Sequence, residues 1–239
     1  MHWVLINTLS NDIDYILIFA NGNSTDETKM FIDNLKVQKN ISIYHIINEN
    51  NFIYRQTNSI LLLSEKLDFD FGFIINDDLL FLQNSWDKYY YNAYEKTNYD
   101  HLVYYDNSYK KCDHNFRNEF LESNCCALNC MGALFTFTKK LIKEIGFFDE
   151  INFKIRGHSH IDYTIRCCRK NFNNYNKLFD LKNSNLYIKL INDKYESTFL
   201  KVPFYLRELF KVNVDELSRR LEIIKDEKRI YIKQKFEIL

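Results

Sequence analysis

One stretch constrains the fold more than any other: Phe71-Gly72-Phe73-Ile74-Ile75-Asn76-Asp77-Asp78-Leu79-Leu80-Phe81. Phe71 to Ile75 is almost wholly apolar, the pattern of a strand buried on both faces of a parallel sheet. The run stops at two adjacent carboxylates, which repel unless they are solvated or shared by a cation. Strand C-termini are where α/β sheets bind ligands, and a hard divalent ion needs oxygen ligands of this kind, often completing its shell with diphosphate oxygens. The same residues also suit an ordinary acidic turn.

The chain has 239 residues, 46% hydrophobic and 27% charged, which suffices for a sizeable core in one large domain or one domain with an appendage. Thirty-two basic side chains balance 32 acidic ones, so there is no electrostatic case for nucleic acid as the main partner. No apolar run approaches the roughly 20 residues of a membrane span, and Met1-His2-Trp3 opens no basic-then-apolar leader; a soluble, cytoplasmic chain is expected. Cys112, Cys125, Cys126, Cys130, Cys167 and Cys168 are then expected as reduced thiols, and Cys112, His114, Cys125, Cys126 and Cys130 do not match the usual spacing of a zinc site.

Taken in order, residues 2–10 carry a helical apolar stripe and 14–19 read as a buried strand. The polar loop 21–27 opens a helix expected over 25–36, with Ser24 and Glu27 at capping-box spacing. A strand over 41–47, a helix over 52–67, the strand at 71–75, a helix over 85–97 and a strand over 101–105 follow. Such alternation predicts a right-handed, mostly parallel α/β sheet. Residues 107–129 lack a clear period and read as a long loop. A strand over 132–137 leads to a short helix capped by Thr138 and ended at Gly146, and a further helix begins near Asp162. Beyond Pro203, Val214, Leu217, Leu221 and Ile224 mark an amphipathic helix that either packs on the domain or mediates homo-oligomerisation.

Together these stretches resemble the GT-A glycosyltransferases of the family-two-like group. Residues 18–28 (IFANGNSTDET) are similar to that family's V-D-N-G-S-T-D-x-T loop, and residues 48–58 (NENNFIYRQTN) to its N-x-G-x-x-x-x-x-N segment. Asn76-Asp77-Asp78 stands at its D-x-D. Residues 132–166 resemble its G-x-x-x-x-x-R…L-x-x-I-G-x-F-D-E…E-D-x-D-x-x-x-R block, with Ile145-Gly146-Phe147-Phe148-Asp149-Glu150 nearly letter for letter. The resemblance implies a GT-A-like, Rossmann-type, mostly parallel sheet flanked by helices over residues 1–200, with a C-terminal helical extension over 201–239.

It also implies transfer of a sugar, with inversion, from a nucleotide diphosphate sugar (a UDP-sugar foremost) to a hydroxyl of a glycan or glycoconjugate, with Mn²⁺ or Mg²⁺. Asp78 is then the first metal ligand, with His158 a second candidate. Asn21, Asn23, Asp26, Arg55, Asn58, Asn76 and Asp77 fall on the nucleotide-sugar side, although Arg55 also suits a solvated helix face and Asn58 a loop-holding role. Where the family carries its base within E-D-x-D, this chain has Ser159-His160-Ile161-Asp162. His160 becomes the candidate base, able to take a proton near neutral pH, and Asp162 would orient it or begin the helix. Exposed loop histidines are the plainer alternative. Asp149 suits either the acceptor side or a turn.

One family element has no counterpart. A central first strand that contacts the nucleotide base normally precedes the strand matched by 14–19, and a parallel crossover needs about a dozen residues or more. The expected consequence is a gap between neighbouring strands with exposed backbone groups. A truncated start, replacement by the C-terminal segment or another chain, and a decayed enzyme that only binds nucleotide sugars or supports assembly all fit that gap.

Overall fold

β1 (Tyr15–Asn21) and β2 (Ile41–Asn48) pair in parallel, from Tyr15 against Ile41 to Asn21 against Ile47. Parallel pairing requires a crossover, supplied by α1 (Thr28–Asp33). The computed structural model describes residues 8–25, 27–35, 40–48, 52–106, 116–153, 158–191, 216 and 236–238. The capping box does not form: α1 starts at Thr28 with Glu27 as a cap lacking a side-chain bond, while the Ser24 N–H donates to Asn21 Oδ1 at 2.9 Å. Asn21 satisfies the loop from the strand end, and the helix is correspondingly shorter than the expected 25–36.

α2 (Ile53–Ser64) buries Tyr54, Leu61 and Leu63 together with four polar side chains, Thr57, Asn58, Ser59 and Ser64. The apolar run then forms β3 (Gly72–Ile75), and the chain continues through β4 (Leu79–Phe81) into α3 (Trp86–Thr97). Trp86, 1% exposed, anchors an aromatic core, with ring centroids 4.8 Å from Phe73 and 4.5 Å from Phe81.

From here the sheet departs from the mostly parallel expectation. β7 (Leu134–Phe137) runs antiparallel to β3. On the other side of β7, residues 101–105 are extended and carry one formal bridge, Val103 to Phe135. They nevertheless join two neighbours: Tyr104 N–H donates to Leu134 O at 3.0 Å, and Val103 N–H to Phe179 O at 3.1 Å in β8 (Leu178–Leu181). β6 (Leu121–Cys125) extends that edge antiparallel to β8, β5 (Phe116–Arg117) pairs antiparallel with β6, and β9 (Ile188–Leu190) pairs antiparallel with β4. Among the described strands the parallel relation is confined to β1 and β2.

Residues 116–129 correct the expected long loop. β6 has no visible alternation because polar Glu122 and Ser123 are buried as thoroughly as Leu121. Glu122 is held across the ladder by Arg117, with Nη2 to Oε2 2.7 Å. Periodicity cannot report a strand whose buried face is partly charged.

Elsewhere the local signals hold. Thr138 Oγ1 accepts the Leu141 N–H at the start of α4 (Lys139–Ile145), and Gly146, at φ 81°, ends it. α5 (Ser159–Arg169) follows. The expected helix over residues 2–10 lies largely outside the described residues, although Thr8 is helical; the amphipathic helix beyond Pro203 also lies outside them apart from helical Glu216. β10 (Phe236–Ile238) adds antiparallel to β2 on the edge away from β1. Among the described strands the outer edges of β1 and β3 therefore carry no partner, and β10 takes the far edge of β2.

His101 sits at the centre of the antiparallel region, fully buried, with Nδ1 3.2 Å from Thr136 O and Nε2 3.0 Å from Thr164 Oγ1. Burial pulls its pKa down to about 4 from the ordinary 6.5. Between those values the unfolded chain binds the proton and the folded one does not. The contribution is therefore fully present above about pH 6.5 and lost as pH falls toward 4, amounting to about 3 kcal/mol. Urea unfolding at pH 7 and pH 4 should show wild type losing about that much more than His101→Asn.

Candidate active site

The acidic turn is held at both ends. Asn76 N–H donates to Ala133 O at 2.8 Å, before β7, and Asp78 O accepts from Ile191 N–H at 2.9 Å, just after β9. Asp77 is exposed and Asp78 half-buried. Asp78 Oδ1 is shut off from solvent without a hydrogen-bond partner among the described residues. Burial, and after it the adjacent Asp77 charge, push the Asp78 carboxyl above the ordinary carboxylate range. A buried carboxylate oxygen with unused acceptor capacity is a chemical fit for a hard cation, which needs only one or two protein carboxylates when phosphate oxygens complete the shell. Among the described residues, no group of three or more His, Cys, Asp or Glu side chains could hold an ion by itself.

His160 lies in the first turn of α5. Its Nε2 is 3.2 Å from Cys130 O, so the ring donates there, since a carbonyl can only accept. Burial, aided by neighbouring His158, lowers its pKa to about 4, against the opposing effect of the Cys130 carbonyl. His158 caps the helix at φ 63°, half-buried, and burial lowers its pKa too. Asp162, 4% exposed, receives Arg166 Nε at 3.0 Å; Arg166 also donates to Ile145 O and Phe147 O at 2.9 and 2.7 Å. This clamp ties α5 to the turn after α4.

On the side of β1, Asn21 is buried at the strand end and bound to the loop, Asn23 is exposed at φ 60°, and Asp26 lies outside the described residues. Asn58 is committed elsewhere: Nδ2 donates to Phe148 O at 3.0 Å and Glu150 Oε1 at 2.6 Å, and Oδ1 accepts Phe148 N–H at 2.8 Å. Arg55, over the Phe52 ring, faces Glu150 with Nε 3.3 Å from Oε2. Asp149 accepts the N–H groups of Ile151 and Asn152, a turn role.

The structure thus gathers these residues into two groups. The acidic turn and His160 share the segment 130–133, and α2 is bolted to 148–150. Glu150, buried and binding both Asn58 and Arg55, was the residue missed in sequence; its signal was its place at the end of the I-G-x-F-D-E match. The five described cysteines are free thiols, and no helix among the described residues is long and apolar enough to cross a membrane.

No family model matches the chain, and no solved structure matches it. A protein of Acanthamoeba polyphaga mimivirus described as an uncharacterized glycosyltransferase is similar to it, at 29% identity over 185 residues, covering 75% of this chain and 68% of the relative.

Proposed function

We propose that this chain is a GT-A-like glycosyltransferase that moves a sugar from a nucleotide diphosphate sugar to a hydroxyl of a glycan or glycoconjugate, with inversion. The mimivirus relative supports the general class. The observation that carries the reading is Asp78, a half-buried carboxylate at a strand end whose Oδ1 has no partner among the described residues. Asp78 would hold Mn²⁺ or Mg²⁺, with His158 the second candidate, and the cation would offset charge gathering on the departing diphosphate. His160 Nδ1, the ring nitrogen not donating to Cys130, would take the proton from the acceptor hydroxyl. The acceptor oxygen then bonds to the anomeric carbon as its bond to the diphosphate breaks.

Asn21, Asn23, Asp26, Asn76 and Asp77 belong to the donor side in this reading. Asn58 and Arg55 support that side indirectly, through Glu150 and Phe148. Asp162 lies in the first turn of α5, which begins at Ser159, and with Arg166 it fixes the helix carrying His160.

Two observations favour a second reading, a nucleotide-sugar-binding or assembly protein without turnover. The outer edge of β1 is unpaired among the described strands, and a His160 pKa of about 4 is a poor match to a base working at neutral pH. Thermal unfolding with a panel of nucleotide diphosphates and their sugars, with and without Mn²⁺, separates the cases. A ligand at one hundred times its Kd should add about 2.7 kcal/mol. Metal-dependent stabilisation followed by turnover supports the transferase, stabilisation without turnover the nucleotide-sugar binder, and no response to any nucleotide would overturn the transferase and favour the assembly role.

A further inference from the structure

The segment Cys130–Ala133 touches both halves of the candidate site. The Ala133 carbonyl accepts the Asn76 N–H at 2.8 Å, which fixes the start of the acidic turn. Three residues earlier, the Cys130 carbonyl lies 3.2 Å from His160 Nε2. Between them Gly132 lies against the imidazole: a Cβ there would stand 3.0 Å from His160 Cγ and 3.3 Å from its Cβ and Cδ2. Ordinary carbon contacts are longer, so a methyl group at 132 would displace the ring by a few tenths of an ångström.

We infer that Cys130–Ala133 is a positioning element that sets His160 against the acidic turn, with Gly132 its obligatory small residue. The inference rests on His160 being the base of the proposed transfer. The physical content is a single strip of backbone with two tasks. One carbonyl holds the turn that bears Asp78; the other, by accepting from Nε2, dictates the tautomer in which Nδ1 is the bare nitrogen. Gly132 lets the ring come close enough for that bond. Catalytic groups need placement within about 0.5 Å, so small displacements are felt in rate before they are felt in binding.

The test uses the full chain. Long-range ¹⁵N–¹H correlation spectra of the free protein should show His160 with a protonated Nε2 and a bare Nδ1; the opposite tautomer, or an equal mixture, would overturn the inference. Gly132→Ala should shift those signals and lower kcat about tenfold while leaving donor KM within about twofold. Unchanged His160 signals and unchanged kcat in that variant would equally overturn it. Should Gly132→Ala fail to fold, the wild-type tautomer still decides. If wild type turns over no donor, the transferase reading falls, and the spectrum alone then judges the placement of the ring.

Discussion

Asp78→Asn is expected to lower transfer, and any metal-dependent hydrolysis of the donor, by roughly 10²–10³-fold, or about 3–4 kcal/mol in the barrier. The same substitution should not destabilise the fold. Asp78 is half-buried, its Oδ1 lacks a partner among the described residues, and burial and Asp77 already raise its pKa. A group whose folded pKa lies above its unfolded value holds its proton better when folded. It therefore favours folding at low pH and opposes it once pH rises beyond both values. A neutral amide of the same shape relieves that opposition. In metal-free buffer at pH 7 the variant should melt at or above the wild-type temperature while losing turnover, the exchange of stability for function expected of an active-site charge. Unchanged turnover would remove Asp78 from the site; a large drop in melting temperature would assign it a structural role instead.

The second large effect concerns stability. Arg166 is 6% exposed, stacks on Tyr163 with its guanidinium carbon 5.1 Å from the ring centroid, and donates to Asp162 and to two backbone carbonyls. Arg166→Met should cost about 3–5 kcal/mol, because it takes the guanidinium away from a buried carboxylate and removes the donor to two carbonyls. Pairing it with Asp162→Leu should return part of the loss, since the buried carboxylate no longer has to do without its guanidinium. Urea unfolding of both single variants and the double variant measures the coupling. Additive losses would mean that the 3.0 Å ion pair contributes little and that the carbonyl contacts carry the clamp.

How far the sequence announced this arrangement depends on the range of the interaction. β3 and its acidic end were legible because an unbroken apolar run and adjacent carboxylates are local signals. Thr138 and Gly146 were legible for the same reason, since a cap is written within four residues. The commitment of Asn58 was not. Its partners Phe148 and Glu150 lie 90 and 92 residues away, and no spacing rule connects them. Glu122 escaped because its burial depends on Arg117 across a ladder. The antiparallel course of β7 was hidden too, because a strand buried on both faces reads alike in either direction. His160 was found through the resemblance. What held it in place, a carbonyl and a glycine, has no side-chain signature.

The bonds between distant segments also set an order of events for the nascent chain. Tyr15 reaches Asp87 across 72 residues and Asn58 reaches Phe148 across 90, so neither contact can form in a locally folded fragment. Closing such loops costs entropy before any packing is gained, which makes slow folding the natural regime. During synthesis β1, β2 and α2 emerge well before residue 148 is available to satisfy Asn58. Until residues 236–238 emerge, the edge of β2 that β10 covers in the finished fold stands open, the condition under which strands find wrong partners. Chaperone dependence in expression would follow from topology alone, whatever the chemistry of the finished site.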